Sequence, residues 1–527
     1  MIRLILLGLL LLGGLAGCGD PAPATAPSPA PVTPTASRGQ QLHNIYCGNC
    51  HALPAPSDLD RKTWQSSVLV RMSAYMGVYN DNVQYFDQVP SKWLEPGLGG
   101  KRVMEAGVYP QRPILPRQDW ELLRDHILQN APERTFGPSN RLPIAPDLPG
   151  FKARILRPDT ILAPQLTAVS IDTFRHQLYA AYFSQDLLQV KPDGRIIDRQ
   201  KDVYGPVHIR VERDRLSIAD IGSIKGSDNP VGVFASGKTL RDIRRGRTGL
   251  KMDGLMRPVF SQWADLDADG DEDLVLCEFG YHLGQLAWHE NLGGGKWERH
   301  VLFPDDGTVA VGVHDFDGDG LPEILALMAN SDESIRIYEN EGGGRFLGRR
   351  LFRFNPTYGS TALEMVDFDR DGDLDFLVAN GDNGDYVPIL KPNHGIRLYR
   401  NLGGLKFEEA FFLGMNGAYG TRTRDYDQDG DLDIAAVSFY PDYAQGAQEA
   451  FVYFEQTGPE QFAAHTIEGA NLSRWMVMDA GDLDGDGDED IVLGAFNVKS
   501  SDAADATYET WLKNDAPILV IENQLKQ

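Results

Sequence analysis

Residues 47–51 read Cys47-Gly48-Asn49-Cys50-His51. In the C-x-x-C-H spacing, two thiols on one turn can form thioethers to the vinyl groups of a haem while the adjacent imidazole reaches the iron from the same turn. A zinc or dithiol-redox C-x-x-C is the competing chemistry, but no second C-x-x-C follows to complete a tetrahedral zinc set. The expectation is one covalent haem c, with Cys47 and Cys50 as thioether donors and His51 as the proximal iron ligand. A methionine in the sixth position would raise the potential and close the iron for electron transfer, whereas an open position would admit ligands. Met72 and Met76 stand four apart on one helical face, and Met104 lies further along. Met72 is ranked first, with Met76 or Met104 as alternatives, although each can equally serve as core filler.

A second chemistry recurs five times as D-x-D-x-D-G-x-x-[D/E]. The acids are Asp265, Asp267, Asp269 and Asp273; Asp315, Asp317, Asp319 and Glu323; Asp367, Asp369, Asp371 and Asp375; Asp425, Asp427, Asp429 and Asp433; and Asp482, Asp484, Asp486 and Asp490. Alternate carboxylates at positions 1, 3 and 5 point into one concavity, Gly at 6 allows a sharp turn, and the acid at 9 closes an oxygen cage suited to Ca²⁺. Crowded carboxylates repel one another without a cation, so up to five calcium ions are expected. The bidentate Glu at position 12 of an EF-hand is missing and the flanks are β-branched and aromatic, which makes these strand–loop–strand sites.

The loops begin 50, 52, 58 and 57 residues apart, a period that signals a propeller or another repeat array. Each is followed by an aromatic or apolar residue, a charged residue and an amide, as in Tyr338-Glu339-Asn340 and Ile521-Glu522-Asn523. In the first four, an aromatic six residues later opens an alternating stretch. Each repeat therefore reads strand A, metal loop, strand B, strand C, Gly-rich turn, strand D, a four-stranded blade. Residues 150–257 keep the rhythm without the acids and read as two metal-free blades, so the fold class is mainly β, a seven-bladed β-propeller with four-stranded blades. Phe151–Leu156 has the form of a strand D and is expected to pair with 518–522, closing the ring.

The acidic segments resemble FG-GAP/VCBS repeats of integrin-like propellers. Around the haem motif, Ser37-Arg38-Gly39-Gln40 has the form of a helix capping box, and Trp120, Leu123 and Ile127 share a helical face between Pro116 and Pro132. This region resembles a small all-α class I type mono-haem cytochrome c domain, which implies an electron carrier.

At the N-terminus, Arg3, the apolar run Leu4–Leu12 and the small-residue stretch ending at Cys18 have the layout of a secretory signal. Leu15-Ala16-Gly17-Cys18 resembles a bacterial lipobox, implying lipidation of Cys18 and a bacterial membrane anchor, periplasmic or surface-facing. The resulting organisation is a signal peptide over 1–17, a Pro/Ala/Thr-rich tether over 18–37, the cytochrome c domain over 38–133, a Pro-rich linker over 134–149 and the propeller over 150–527. The linker could leave the haem domain hanging from the outer rim of the last blade, with either propeller face in reach.

A net charge of −25 excludes a basic nucleic-acid footprint. The five acidic segments hold 26 carboxylates, so that charge belongs to the metal loops and not to an acidic partner surface. No nucleophile elbow, His-Glu-x-x-His or dinucleotide fingerprint occurs. The reading is an electron-transfer lipoprotein with a redox partner protein and a propeller that binds a protein or glycan. Alternatives are an oxidoreductase passing electrons from a propeller-bound substrate to the haem, and an adhesion-like binding module. Long B–C insertions bring Tyr386, His394, Tyr440, Tyr443 and Trp511 toward one rim as a candidate ligand surface. Arg241, Arg244, Arg245 and Arg247 form a basic run, and Cys277 reads as a buried apolar residue.

Overall fold

Short β-branched runs punctuated by glycine turns build seven antiparallel sheets in the computed structural model, which describes residues 36–78, 97–110, 112–159, 162–247 and 249–526. Cys18 and residues 1–35, which include the expected signal peptide and nearly all of the expected tether, lie outside the described residues. The sheets are the blades of a seven-bladed propeller. Blade 4 shows the pattern: strand A is Thr308–His314, B is Glu323–Met328, C is Ser334–Asn340 and D is Phe346–Arg353.

Burial peaks in the second strand of each acidic blade and is less in the strand nearest the axis. Strands B of the five acidic blades, Asp273–Glu278, Glu323–Met328, Asp375–Asn380, Asp433–Ser438 and Asp490–Ala495, are buried at every residue. A strand covered on both faces needs apolar side chains on both, which is why these segments read as continuous apolar runs. Cys277 sits inside one of them, fully buried, and its thiol pKa is pushed far up by that burial. Strands D are largely exposed, and Arg349, Arg350 and Arg353 blunt the free edge of blade 4.

Blades 1 and 2 lack the acidic loops. Their A–B connections are only Thr173–His176 and Arg213-Asp214, too short to cage an ion. The last blade takes strands A to C from Trp475–Gly481, Asp490–Ala495 and Ile518–Asn523, and its outer strand is Phe151–Leu156. Phe151 faces Asn523 and Leu156 faces Ile518 in an unbroken antiparallel register, as the repeat pattern predicts. Trp475–Gly481 then packs beside Leu166–Asp172 of blade 1, completing the circle.

Ahead of the propeller the described residues are helical: Arg38–Cys47, Arg61–Thr63 continuing through a π turn into Leu69–Tyr75, Leu98–Glu105 and Arg117–Asn130. The first and last helices cross closely at Gly39, where a Cβ would lie 2.4 Å from the Leu122 carbonyl oxygen. Leu42, Leu59, Trp64, Leu69, Trp120, Leu123 and Ile127 form their shared core. None of the described helices is long and apolar enough to cross a membrane.

Two expectations about the join require correction. The helices do not hang from the outer rim of the last blade; they lie on the propeller face opposite the acidic loops, against the B–C and D–A connections of blades 2 to 5. Arg71 bonds Asp385 at 3.2 Å, Asn355 donates to Asp58 at 2.6 Å, and the Gly99 N–H donates to Asn229 at 2.7 Å. Nor is 134–149 a free spacer. Ile144–Ala145 adds a parallel fifth strand to blade 6, Leu148 is buried in the core between blades 6 and 7, and Arg141 bonds Glu449 at 3.1 Å. The prolines suggest an extended spacer, but the few apolar side chains between them have a sheet edge to bury against.

Candidate functional site

Helix Arg38–Cys47 ends on the first thiol and the chain turns through Gly48 and Asn49, leaving Cys47 buried, Cys50 exposed and His51 half-buried. Both cysteines are free. The Cys47 thiol pKa is pushed up to about 12 by burial and by the neighbouring Cys50. His51 Nδ1 lies 2.8 Å from the Ala52 carbonyl oxygen. An imidazole donating through Nδ1 leaves Nε2 bare for a metal, as a backbone carbonyl on the other nitrogen usually arranges for a ligating histidine. The donor set therefore fits a c-type haem: two uncommitted thiols three apart and an imidazole with its tautomer set.

The methionines divide between two cores. Met76 is buried and Met72 half-buried in the same apolar cluster as Cys47. Met104 packs instead with Ala74, Val103 and Tyr109. The structure brings Met72 and Met76, but not Met104, into the core that holds Cys47.

Propeller side chains reach this turn, which local sequence gives no means of foreseeing. Arg353, at the end of strand D of blade 4, donates to the Cys50 carbonyl at 3.2 Å while paired with Asp332 at 2.6 Å. Tyr386 and Ile389, in the B–C insertion of blade 5, pack onto the cluster holding Met72 and Met76. A hydrogen-bonded chain crosses the same seam: Tyr109 Oη lies 3.1 Å from His282 Nε2, and His282 Nδ1 lies 2.8 Å from Asp228. Asp228 also accepts the backbone N–H groups of His282 and Leu283. Tyr109 and His282 are 173 residues apart, so only the tertiary fold joins them.

The expected rim of aromatics does not form an open ligand surface. His394 and Trp511 are fully buried. Tyr440 and Tyr443 close around the buried Arg474, at 4.9 and 5.9 Å, and Arg474 pairs with Asp502 at 3.0 Å. These side chains fill the insertions that carry them, because loops of this length must bury something of their own to hold a shape.

On the opposite face, the five acidic loops repeat one conformation. The glycine at position 6 has φ of 94°, 93°, 101°, 106° and 90° in Gly270, Gly320, Gly372, Gly430 and Gly487, values side chains rarely adopt. The residue at position 4 also has positive φ, including Ala268, Arg370 and Gln428, a strain that the motif alone does not reveal. Carboxylate oxygens of Asp265, Asp267 and Asp269 lie within 4.8 Å of one another, as do those of Asp367, Asp369 and Asp371, and of Asp425, Asp427 and Asp429. Asp315 and Asp317 gather in the same way with Glu323. Asp319 and the fifth loop use the same turn bonds: Asp319 N–H donates to Asp317, and the Gly485 and Asp486 N–H groups donate to Asp482 and Asp484.

The acid at position 9 has a second task. Asp273 accepts from the Leu266 N–H at 3.0 Å and from the Asn291 N–H at 2.8 Å, and Asp375 does the same with Phe368 and Asn401. Asp490 bonds Leu483 and Asn523. Glu323 accepts from Phe316, and Asp433 from Gln456. These five acids are buried, and burial, reinforced by the neighbouring carboxylates, raises Asp273 and Asp375 to about 6 and Glu323, Asp433 and Asp490 to about 7. The recurring amide ties blades together: Asn340 Nδ2 donates to the Leu266 carbonyl of the preceding blade at 2.9 Å, and Asn523 to that of Tyr426 at 2.8 Å. Oxygen donors converging in four of the loops, with position-9 carboxyls held up by burial and then by their acidic neighbours, fit a hard cation such as Ca²⁺.

Residues 265–326 and 315–378 match the FG-GAP-like repeat. The acidic repeats within 265–378 are FG-GAP-like. No curated protein matches the chain significantly. Among solved structures, the crystal structure of RRP9 WD40 repeats is similar with a TM-score of 0.43 and 10% identity over 72% of this chain and 98% of that one. The structure of U3-55K gives 0.40 and 9% over 70% and 98%. An FG-GAP-like propeller of this kind suggests a binding module.

Proposed function

We propose that the chain is an exported electron-transfer lipoprotein carrying one haem c on Cys47, Cys50 and His51, seated on a calcium-stabilised propeller that binds a protein or glycan partner. The observation that carries this reading is the C-x-x-C-H turn itself: two free thiols and an imidazole engaged through Nδ1, at a seam where Arg353 holds the Cys50 carbonyl. When bound, the haem would supply one-electron chemistry. The chain's own residues bind and orient it, Met72 or Met76 is the candidate to close the sixth position, and the loops at Asp265, Asp315, Asp367, Asp425 and Asp482 hold calcium on the far face. Export and anchoring through Cys18 rest on the N-terminal sequence.

The test is expression with and without a c-type haem maturation system, followed by denaturing electrophoresis with haem staining. Covalent haem that is lost in Cys47→Ala/Cys50→Ala supports the reading. A protein that matures without haem and binds stoichiometric zinc through the same cysteines overturns it.

A further inference from the structure

The basic run of the sequence is absorbed by neither the haem site nor the calcium loops. It lies on the short helix Leu240–Arg245 and the turn after it, an insertion between strands C and D of blade 2. Thr239 caps the helix by accepting the Asp242 N–H, and Gly246 ends it in the left-handed region. The insertion forms one wall of a groove of about 890 Å³, whose other wall is strand D of blade 1, Ile196–Lys201. Ile196, Ile197, Val233, Ile243 and Leu250 line it, and Ile197 is 42% exposed.

Its charge runs against the rest of the molecule. Four cations, Arg199, Lys201, Arg244 and Lys251, line the groove against one carboxylate, Asp198, on a chain of net charge −25. Arg199 and Arg244 build the walls: Arg199 pairs with Asp186 at 3.1 Å, and Arg244 bonds Asp198 at 2.9 Å and the Arg199 carbonyl at 2.6 Å. Lys251 pairs with Asp253 at 2.8 Å. Lys201 lines the groove, and Arg241, Arg245 and Arg247 stand exposed on the insertion beside it; none of the four makes a salt bridge among the described residues, and Arg241 lies near enough to Asp198 to favour its charged form. Exposed cations beside a partly apolar groove mark a recognition surface and not a structural network.

We infer that this groove docks an acidic protein segment, its carboxylates on Lys201, Arg241, Arg245 and Arg247 and its apolar side chains against Ile197, Ile243 and Leu250. Charge complementarity selects an acidic occupant, and the concave apolar floor selects a polypeptide. A nucleic acid needs a continuous basic footprint that this acidic chain lacks, and an anionic membrane favours a surface that presents its apolar residues outward. The inference does not rest on the haem reading.

The test is fluorescence anisotropy on the full chain in calcium, using a short labelled peptide that alternates glutamate with leucine. Binding that weakens with salt, falls at least about tenfold in Arg241→Glu/Arg245→Glu/Arg247→Glu, and weakens in Ile197→Asp supports the assignment. These side chains are exposed, so the variants keep the fold. Equal binding of a glutamine-for-glutamate peptide overturns it, as does binding unchanged in the triple variant. Tighter binding of a DNA duplex or of phosphatidylserine vesicles, lost in the same variant, overturns it in favour of that ligand.

Discussion

If iron is bound through His51, a methionine of the apolar cluster containing Cys47 is the first candidate to complete it. Met72 and Met76 belong to that cluster and Met104 does not. The methionine–iron charge-transfer band of the oxidised protein is therefore expected to vanish in Met72→Ala and to survive in Met104→Ala. Loss of the band only in Met76→Ala would move the ligand along by one helical turn. A second residue-scale expectation concerns acid. His289 is buried in strand C of blade 3, Gln285–Asn291, and burial, with Arg299 and His300 nearby, lowers it to about 4. Its folded pKa lies below the unfolded value near 6.5, so the unfolded chain takes up the proton first. The stability associated with the neutral ring is present above pH 6.5 and is lost as the pH falls toward 4, at roughly 1.4 kcal/mol per pH unit. Denaturant titrations in saturating calcium should show a shallower loss over this window in His289→Gln.

At the scale of the element, the acidic loop and the strands around it act as one device. Asn340 closes two carbonyls, Leu266 of the preceding blade and Pro322 of its own, at 2.9 and 3.1 Å. Asn340→Ala leaves both buried oxygens without that donor and is expected to cost about 2 kcal/mol in chemical denaturation, well above a surface substitution. Calcium that binds only the folded loops adds on the order of 3 kcal/mol per site at a hundredfold excess over Kd. If the loops hold calcium, chelation should lower the propeller's melting temperature and leave any haem absorbance in place; an unchanged melting temperature would exclude exchangeable structural calcium. The loops were legible in sequence because their acids and glycine are consecutive. The amide's role was not, since its partner lies 74 residues away in the neighbouring blade. Strain at position 4 was hidden as well, because alanine, arginine and glutamine there carry no turn signature.

Across the whole molecule, blade count and ring closure were also legible, because a repeating pattern with a strand missing at one end and a spare strand at the other has one economical solution. Deleting residues 150–157 removes the partner of Ile518–Asn523 and is expected to yield aggregates in size-exclusion chromatography. A stable monomeric propeller from that deletion would show that the strand is dispensable. The seat of the helices was not legible. It is made by single long side chains, such as Arg71 on Asp385 and Arg353 on the Cys50 carbonyl, that span hundreds of residues and leave no periodic trace.

The shared last blade sets an order of events during synthesis. Arg154 and Glu522 pair across 368 residues, so the edge of Phe151–Leu156 waits unpaired while every other blade emerges. The helices of 38–130 pack mainly among themselves and need no such wait. If haem is attached at Cys47 and Cys50, attachment can thus precede propeller closure, and a chain interrupted before Ile518 would be left as an open ring with a bare strand edge. Closure by the two ends is a checkpoint on synthesis: only a chain translated through Asn523 hides the edge that proteases and aggregation would otherwise find.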